Sequence, residues 1–179
     1  MRLSKSRFIA GWQCLKRLYL EVHQPELAAE PDEQTMAVFE QGHEVGRWAQ
    51  KMFPGGVLIE AGHEDVDKTL QQTEQALMGK EHPAVFEAAF MHDDILARVD
   101  ILDRRPRNKW RLIEVKSSTS VKDYPLYDVA IQRLILEGLG MKVVPCLMHL
   151  NRDYVYDGKQ YELEKLFIIR DLTNETAAL

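Results

Sequence analysis

Cysteine is scarce in this chain, and its two cysteines, Cys14 and Cys146, lie far apart. A disulfide-stabilised domain needs several cysteines, and a zinc or iron–sulfur site needs clustered ones such as a CxxC pair. Two isolated cysteines fit neither pattern. We therefore expect a reduced, cytoplasmic protein, and no iron–sulfur cluster in the chain as given.

Long apolar runs are also missing. No stretch approaches the ~20 apolar residues of a membrane helix, and the N-terminal MRLSKSRFIAGW lacks the apolar segment of a secretory signal. The sequence thus predicts no membrane partner. At 179 residues the chain is long enough to bury a core. We expect one domain over residues 1–179, either complete or the N-terminal part of a longer protein with an additional domain or partner protein.

Acidic residues are absent from the first twenty positions, although the net charge of the chain is −5. That segment carries Arg2, Lys5, Arg7, Lys16 and Arg17. A local basic patch on an acidic protein could contact phosphate, with Arg7, Lys16 and Arg17 as the candidates, or it could be a solvated helix face. The basic tip RRPRNK is a second candidate, for which a solvated turn is the preferred interpretation.

The apolar pattern predicts an α/β (α+β) fold with a mixed central sheet flanked by helices. Helical spacing covers SKSRFIAGWQCLKRLYLEV, EQTMAVFEQGHEVGRWAQKMF, DVDKTLQQTEQALMGK and YPLYDVAIQRLILEGLG. Three strand-length runs separated by turn residues predict an antiparallel meander: AVFEAAFMHDD, ILARVDILDRRP and KWRLIEVKSS. GVLIEAG is predicted as a short strand and DYVYDGKQYEL as a hairpin. MKVVPCLMHL is predicted as a strand in which Pro145 indicates an edge or a bulge, and EKLFIIRDLTNETAAL as a strand entering a helix.

Charged residues interrupt the meander at Asp100, Glu114 and Lys116. Asp100 and Glu114 lie on consecutive strands, so a hairpin would bring the two carboxylates together. These oxygens, with a carbonyl such as that of Val115, suit Mg²⁺ or Mn²⁺. Glu114 and Lys116 have the same parity on their strand, which places an ammonium beside the metal. The alternative is an ordinary salt bridge on an edge strand.

His43 and Gln132 are weaker candidates. His43 shares a helical face with Phe39 and Gly46, and it is either a metal ligand or a satisfied core residue. Gly42 and Gly46 lower helix propensity there, and close packing against another backbone would explain them. Gln132 is an amide in an apolar helix and either contacts the site or is simply satisfied. The acids in GHEDVDK (His63, Glu64, Asp65 and Asp67) are better explained by a helix N-terminus than by a metal cluster.

Together these motifs resemble the PD-(D/E)XK nuclease superfamily, in the RecB-like branch that includes the CRISPR spacer-acquisition exonucleases. The matching segments are LSKSRFIAGWQCLKRLYL, GHEVG, ARVD, IEVKSS and YDVAIQRLILEGLG. The resemblance implies a restriction-endonuclease-like core. It also implies that His43, Asp100, Glu114 and the Val115 carbonyl bind metal, and that Asp100, Glu114, Lys116 and Gln132 form the catalytic set.

The resemblance also has departures. The glutamine motif usually has an aromatic four residues on, where this chain has Leu136, and Cys14 lacks the three C-terminal cysteines of the clusters in many relatives. The resulting expectation is a nuclease dependent on Mg²⁺ or Mn²⁺ that hydrolyses DNA in repair, recombination or defence. The alternative is a catalytically silent nucleic-acid-binding or regulatory domain of a larger complex.

Overall fold

A seven-stranded mixed sheet flanked by helices forms the centre of the protein. The computed structural model describes residues 2–60, 65–120 and 123–179. Its elements are β1 Leu3–Ser4, α1 Lys5–Gln13, α2 Leu15–His23, a 3₁₀ turn Pro25–Leu27, α3 Glu33–Gln50, β2 Val57–Leu58, α4 Val66–Met78, β3 Ala84–His92, β4 Ile95–Arg105, β5 Lys109–Lys116, α5 Asp123–Gly138, β6 Lys142–Leu150, α6 Leu163–Leu166, β7 Phe167–Asp171 and α7 Thr173–Ala177. No described helix is long and apolar enough to cross a bilayer.

The predicted meander is confirmed, because β3, β4 and β5 pair antiparallel in sequence order. Local backbone chemistry explains both turns. Asp93 and Asp94 have φ angles of 48° and 61° in the first turn, and Arg107 and Asn108 have 62° and 55° in the second. Asn and Asp tolerate this left-handed region better than most residues do, so the turn sequences fix the register of the hairpins.

The parallel pairs make the sheet mixed. β6 pairs parallel with β5 after the α5 crossover, and β7 returns antiparallel beside β6. β2 pairs parallel with β3. β1 pairs with the Ile95–Leu96 end of β4, whereas β5 pairs with β4 only from Ile101 onward. The first residues of the chain therefore lie along the same edge of β4 as β5.

Both faces of the sheet are covered by apolar side chains. On one face, Ile9 of α1 and Val129 and Leu136 of α5 pack in a cluster with Leu112 and Leu147. On the other face, the cluster joins residues of α3, the sheet and α6, among them Val45, Ala49, Ile101, Ile113 and Leu166. Side chains of β5 alternate between the two faces. Leu112 and Glu114 point to one face, and Ile113 points to the other.

Several local predictions are corrected. The N-terminal helix is two helices separated at Cys14, and three of its apolar residues, Trp12, Leu15 and Tyr19, are exposed. GVLIEAG contributes only Val57–Leu58 as a strand within its described part. β6 is an inner strand, and Pro145 lies just before the first residue that pairs with β7.

The predicted hairpin in DYVYDGKQYEL is wrong, because the structure assigns no strand between β6 and α6. The turn itself is present. Gly158 has a φ of +84°, and the Asp157 side chain accepts a hydrogen bond from the Lys159 N–H at 3.0 Å. The final segment does run from strand to helix as expected, through β7 and α7.

Candidate functional site

Asp100 and Glu114 lie where β4 and β5 separate. The last paired residues at this end are Ile101 and Ile113, so Asp100 and Glu114 are the next residues on each strand. The Val115 N–H donates to Asp100 Oδ2 at 2.6 Å, which connects the strands just past the ladder. The predicted convergence of the two carboxylates is therefore present in the structure.

Two lysines and two carboxylates form a ring of ion pairs beside this opening. We call Lys5, Glu114, Lys116 and Asp128 the ion-pair ring. Lys116 Nζ lies 2.7 Å from Glu114 Oε1 and 2.8 Å from Asp128 Oδ2. Lys5 Nζ lies 3.1 Å from Glu114 Oε2 and 3.7 Å from Asp128 Oδ1. Each cation thus contacts both anions, which compensates for the burial of Glu114 and Asp128.

Gln132 lies behind Glu114 rather than in the open cleft. It is fully buried, and its Nε2 donates to Glu114 Oε2. Its own Oε1 is buried and accepts no hydrogen bond from the described residues. Asp128 precedes Gln132 by one helical turn of α5, so both residues face the strand that carries Glu114. The amide therefore orients the Glu114 carboxylate.

Asp100 and Glu114 differ in pKa because their charged neighbours differ. Burial alone would raise the pKa of Glu114, but Lys5 and Lys116 outweigh it and hold that pKa at about 2. Burial, and then the charge of Glu114, raise the pKa of Asp100 well above its ordinary value. Burial would lower the pKa of Lys116, but Glu114 and Asp128 outweigh it and raise that pKa. These two carboxylates therefore favour the charged form of Lys116.

A cleft of about 930 Å³ opens in front of these carboxylates. The helix α3 forms one wall, and Asp100, Glu114, Val115 and Lys116 line the other side. His43 lines the cleft from the exposed face of α3. The structure thus brings His43, Asp100, Glu114, Val115 and Lys116 to one cleft, as the sequence predicts.

Glu87 is a further carboxylate in the cleft. It lies on β3 between the paired residues Phe86 and Ala88, opposite the position of Asp100 on β4. Its φ of 57° is unusual for a non-glycine residue inside a strand. Its carboxylate lies 3.7 Å from Arg98 Nε, and its charge contributes to the raised pKa of Asp100.

Oxygen ligands at this opening fit a hard divalent cation. Over residues 2–60, 65–120 and 123–179, no three His, Cys, Asp or Glu side chains are grouped as a metal site requires. The chemistry of Asp100 and Glu114 nevertheless fits, because a cation between them would relieve the unfavourable charge of a buried carboxylate beside another. Lys5 shows that positive charge is already accommodated on Glu114.

The predicted phosphate contacts lie away from this cleft. Arg7 donates to the carbonyl of Glu21, and Arg17 donates to the side chains of Glu21 and Gln13. Lys16 is exposed on α2. These contacts give the two arginines partners within the helical pair, and phosphate contact by Arg7, Lys16 and Arg17 stays a prediction.

Other charged and cysteine candidates have structural explanations. In the RRPRNK tip, the Arg104 guanidinium stacks on Trp110 at 4.3 Å. It also donates to the carbonyls of Leu77 and Gly79 at the end of α4. Asp65 caps α4 by accepting from the Lys68 N–H, as expected for an acid at a helix N-terminus. His63 and Glu64 lie outside the described residues. Cys14 is exposed, Cys146 is buried, and both are free thiols.

No model of a known protein family matches the chain, and no curated protein matches it.

Three residues of the site were not predicted from the sequence: Lys5, Glu87 and Asp128. Asp128 had a usable signal, because an acid one helical turn before Gln132 in an apolar helix marks a polar face. Lys5 had none, since its position depends on the pairing of β1 with β4. The backbone conformation that distinguishes Glu87 has no counterpart in its sequence context.

Proposed function

We propose that this protein is a divalent-metal-dependent nuclease of the PD-(D/E)XK type that hydrolyses phosphodiester bonds of DNA. The observation that carries the proposal is the meeting of Asp100, Glu114 and Lys116 at the opening between β4 and β5, with Glu114 held by Gln132. The mixed sheet flanked by helices agrees with the restriction-endonuclease-like core that the sequence resemblance implies.

The metal would be held by Asp100, Glu114 and the carbonyl oxygen of Val115. His43, the further ligand that the sequence resemblance implies, would have to move closer, because the described chain does not group it with the two carboxylates. Bound Mg²⁺ or Mn²⁺ supplies Lewis-acid charge at the phosphate and lowers the pKa of water. Burial and the charge of Glu114 raise the pKa of Asp100, and a bound cation would favour its carboxylate form. Exposed His43 approaches the same cleft from the opposite wall.

Lys116 would act as a cation toward the phosphate. Its raised pKa favours the charged ammonium, which can donate hydrogen bonds to the phosphate. Asp128 and Glu114 fix the position of its Nζ at 2.8 and 2.7 Å. Gln132 in turn fixes Glu114. The buried network therefore orients both the acidic and the basic member of the site.

A second candidate is a catalytically silent nucleic-acid-binding or regulatory domain. It is favoured by one observation, namely that both oxygens of Glu114 already accept hydrogen bonds from protein donors. An active enzyme has to exchange the Lys5 contact for a metal contact. A silent domain would keep the contact as a structural ion pair.

Cleavage of end-labelled single- and double-stranded DNA tests the proposal, with Mg²⁺, with Mn²⁺ and with EDTA. We expect metal-dependent cleavage that falls by at least about 100-fold in Glu114→Gln and in Lys116→Met. Matched controls are Glu74→Gln and Lys68→Met on the exposed surface of α4, which should cleave like the wild type. A folded wild-type protein that cleaves neither substrate with either metal would support the silent domain instead.

A further inference from the structure

One face of α3 lines the cleft along most of the helix. Phe39, Gly42, His43, Gly46 and Arg47 all contribute to this lining. Their spacing corresponds to successive turns, so they form one continuous stripe. We call these five residues the α3 stripe. It faces the carboxylates of the candidate site across the cleft.

The two glycines of the α3 stripe have no packing role in the described chain. Apart from its chain neighbours and the backbone of its own helix, a Cβ built on Gly42 or on Gly46 would meet no atom of the described residues within 4 Å. The sequence-based explanation, close packing against another backbone, is therefore wrong there. Glycine weakens a helix interior relative to alanine. The bare backbone instead faces the cleft, where it allows a ligand to approach the helix closely.

The cleft combines an apolar wall with a charged floor. Phe39 is 51% exposed, and the neighbouring apolar residues Val38 and Leu58 are 59% and 45% exposed. The floor carries Lys116 and the carboxylates, and Arg47 lies at the end of the α3 stripe. A nucleotide has the matching composition, because its base has an apolar face and its phosphate is anionic. A purely apolar ligand would displace water from the charged floor without offering it a hydrogen bond.

We propose that the α3 stripe binds an unpaired stretch of the substrate strand, with a base on Phe39 and a phosphate further along the strand at Arg47. The sugar–phosphate backbone passes over Gly42 and Gly46. This inference rests on the proposed function and specifies a single-stranded substrate. The bases of a duplex are stacked on one another, so only an unpaired base offers a free face to the aromatic ring.

Binding of a fluorescent single-stranded oligonucleotide in EDTA tests the α3 stripe without any cleavage. We expect Phe39→Ala to weaken binding by about 5- to 100-fold, and Phe39→Trp to keep it. Gly42→Ala and Gly46→Ala should raise the thermal midpoint of unfolding and yet weaken binding. Met78→Ala, an equally apolar change at a 73% exposed position of α4, should leave binding unchanged.

Three results would overturn the proposal: wild-type protein that does not bind the oligonucleotide, a Phe39→Ala variant that binds as tightly as wild type, or glycine variants with a higher midpoint and unchanged binding.

The outcome of this test can be distinguished from the outcome of the nuclease test. Binding that depends on Phe39 without any metal-dependent cleavage would support the α3 stripe on a silent domain. Wild-type cleavage with normal binding by Phe39→Ala would retain the nuclease and remove the stripe.

Discussion

The ion-pair ring predicts strong thermodynamic coupling between Lys5 and Asp128. Lys5→Met leaves two buried carboxylates with one lysine, and Asp128→Asn leaves two lysines with one carboxylate. Either change alone unbalances the charge of the ring. The double variant restores the balance, because Glu114 and Lys116 remain as a simple pair 2.7 Å apart. We therefore expect the second substitution to lower the unfolding free energy much less in the background of the first than it does in the wild type.

The magnitude follows from the burial of the ring. The Lys5 and Asp128 side chains are 18% and 7% exposed, so solvent screens them less than surface charges. Two unit charges about 4 Å apart attract by about 4 kcal/mol at an effective dielectric constant of 20, before desolvation is subtracted. Removing one partner of such a buried pair costs about 3 kcal/mol of unfolding free energy. We expect the double variant to fall short of additivity by about 1–3 kcal/mol.

Urea unfolding of the four proteins at pH 7 measures this coupling. The matched control is the pair Arg2→Met and Asp67→Asn, whose side chains are 53% and 79% exposed at a separation of 3.0 Å. That surface pair should couple by less than about 1 kcal/mol. The ring does not act as a unit if the effects of Lys5→Met and Asp128→Asn on the unfolding free energy are additive, or if they couple no more than the surface pair. Either result would refute the coupling proposed for the site.

Two further predictions concern Asp100 and Thr73. Burial and Glu114 raise the pKa of Asp100, so the folded protein binds more protons than the unfolded chain above pH ~4, and its stability falls as the pH rises from there. Metal-free Asp100→Asn should thus be more stable than wild type in urea at pH 8, with the difference closing toward pH ~4, whereas a constant difference would contradict the raised pKa. Thr73→Val should lower the unfolding free energy by about 1–3 kcal/mol, because the Ala89 N–H loses the buried hydroxyl to which it donates at 3.0 Å. Thr73→Ser keeps that acceptor and is the control, and equal losses in the two variants would point to packing instead.

The central meander was predictable because its signals are local. Turn residues occur between strand-length apolar runs, and residue parity along β5 places Glu114 and Lys116 on one face. Helical spacing likewise placed His43 and Phe39 on the same side of α3. These relations involve residues within one element or one hairpin, where the geometry of the backbone alone decides which side chains are neighbours.

Contacts between distant segments were not predictable in this way. Lys5 reaches Glu114 because a two-residue strand pairs with β4, and so short a strand has no distinguishing pattern. Around Asp157, by contrast, a strand pairing was predicted that does not exist. The turn there formed as the sequence predicts, but turn chemistry does not supply a pairing partner for the flanking residues. Tertiary pairing decided both outcomes.

The contact between Lys5 and Glu114 has a consequence for the order of folding. These residues are 109 positions apart in the chain. Closing a loop of that size costs entropy that local contacts such as the β3–β4 hairpin do not incur, so pairs of high sequence separation tend to form late. The meander can therefore assemble before the N-terminal segment docks on it. A complete ring requires the docked N-terminal segment, so competence of the site reports on that segment as well as on the meander.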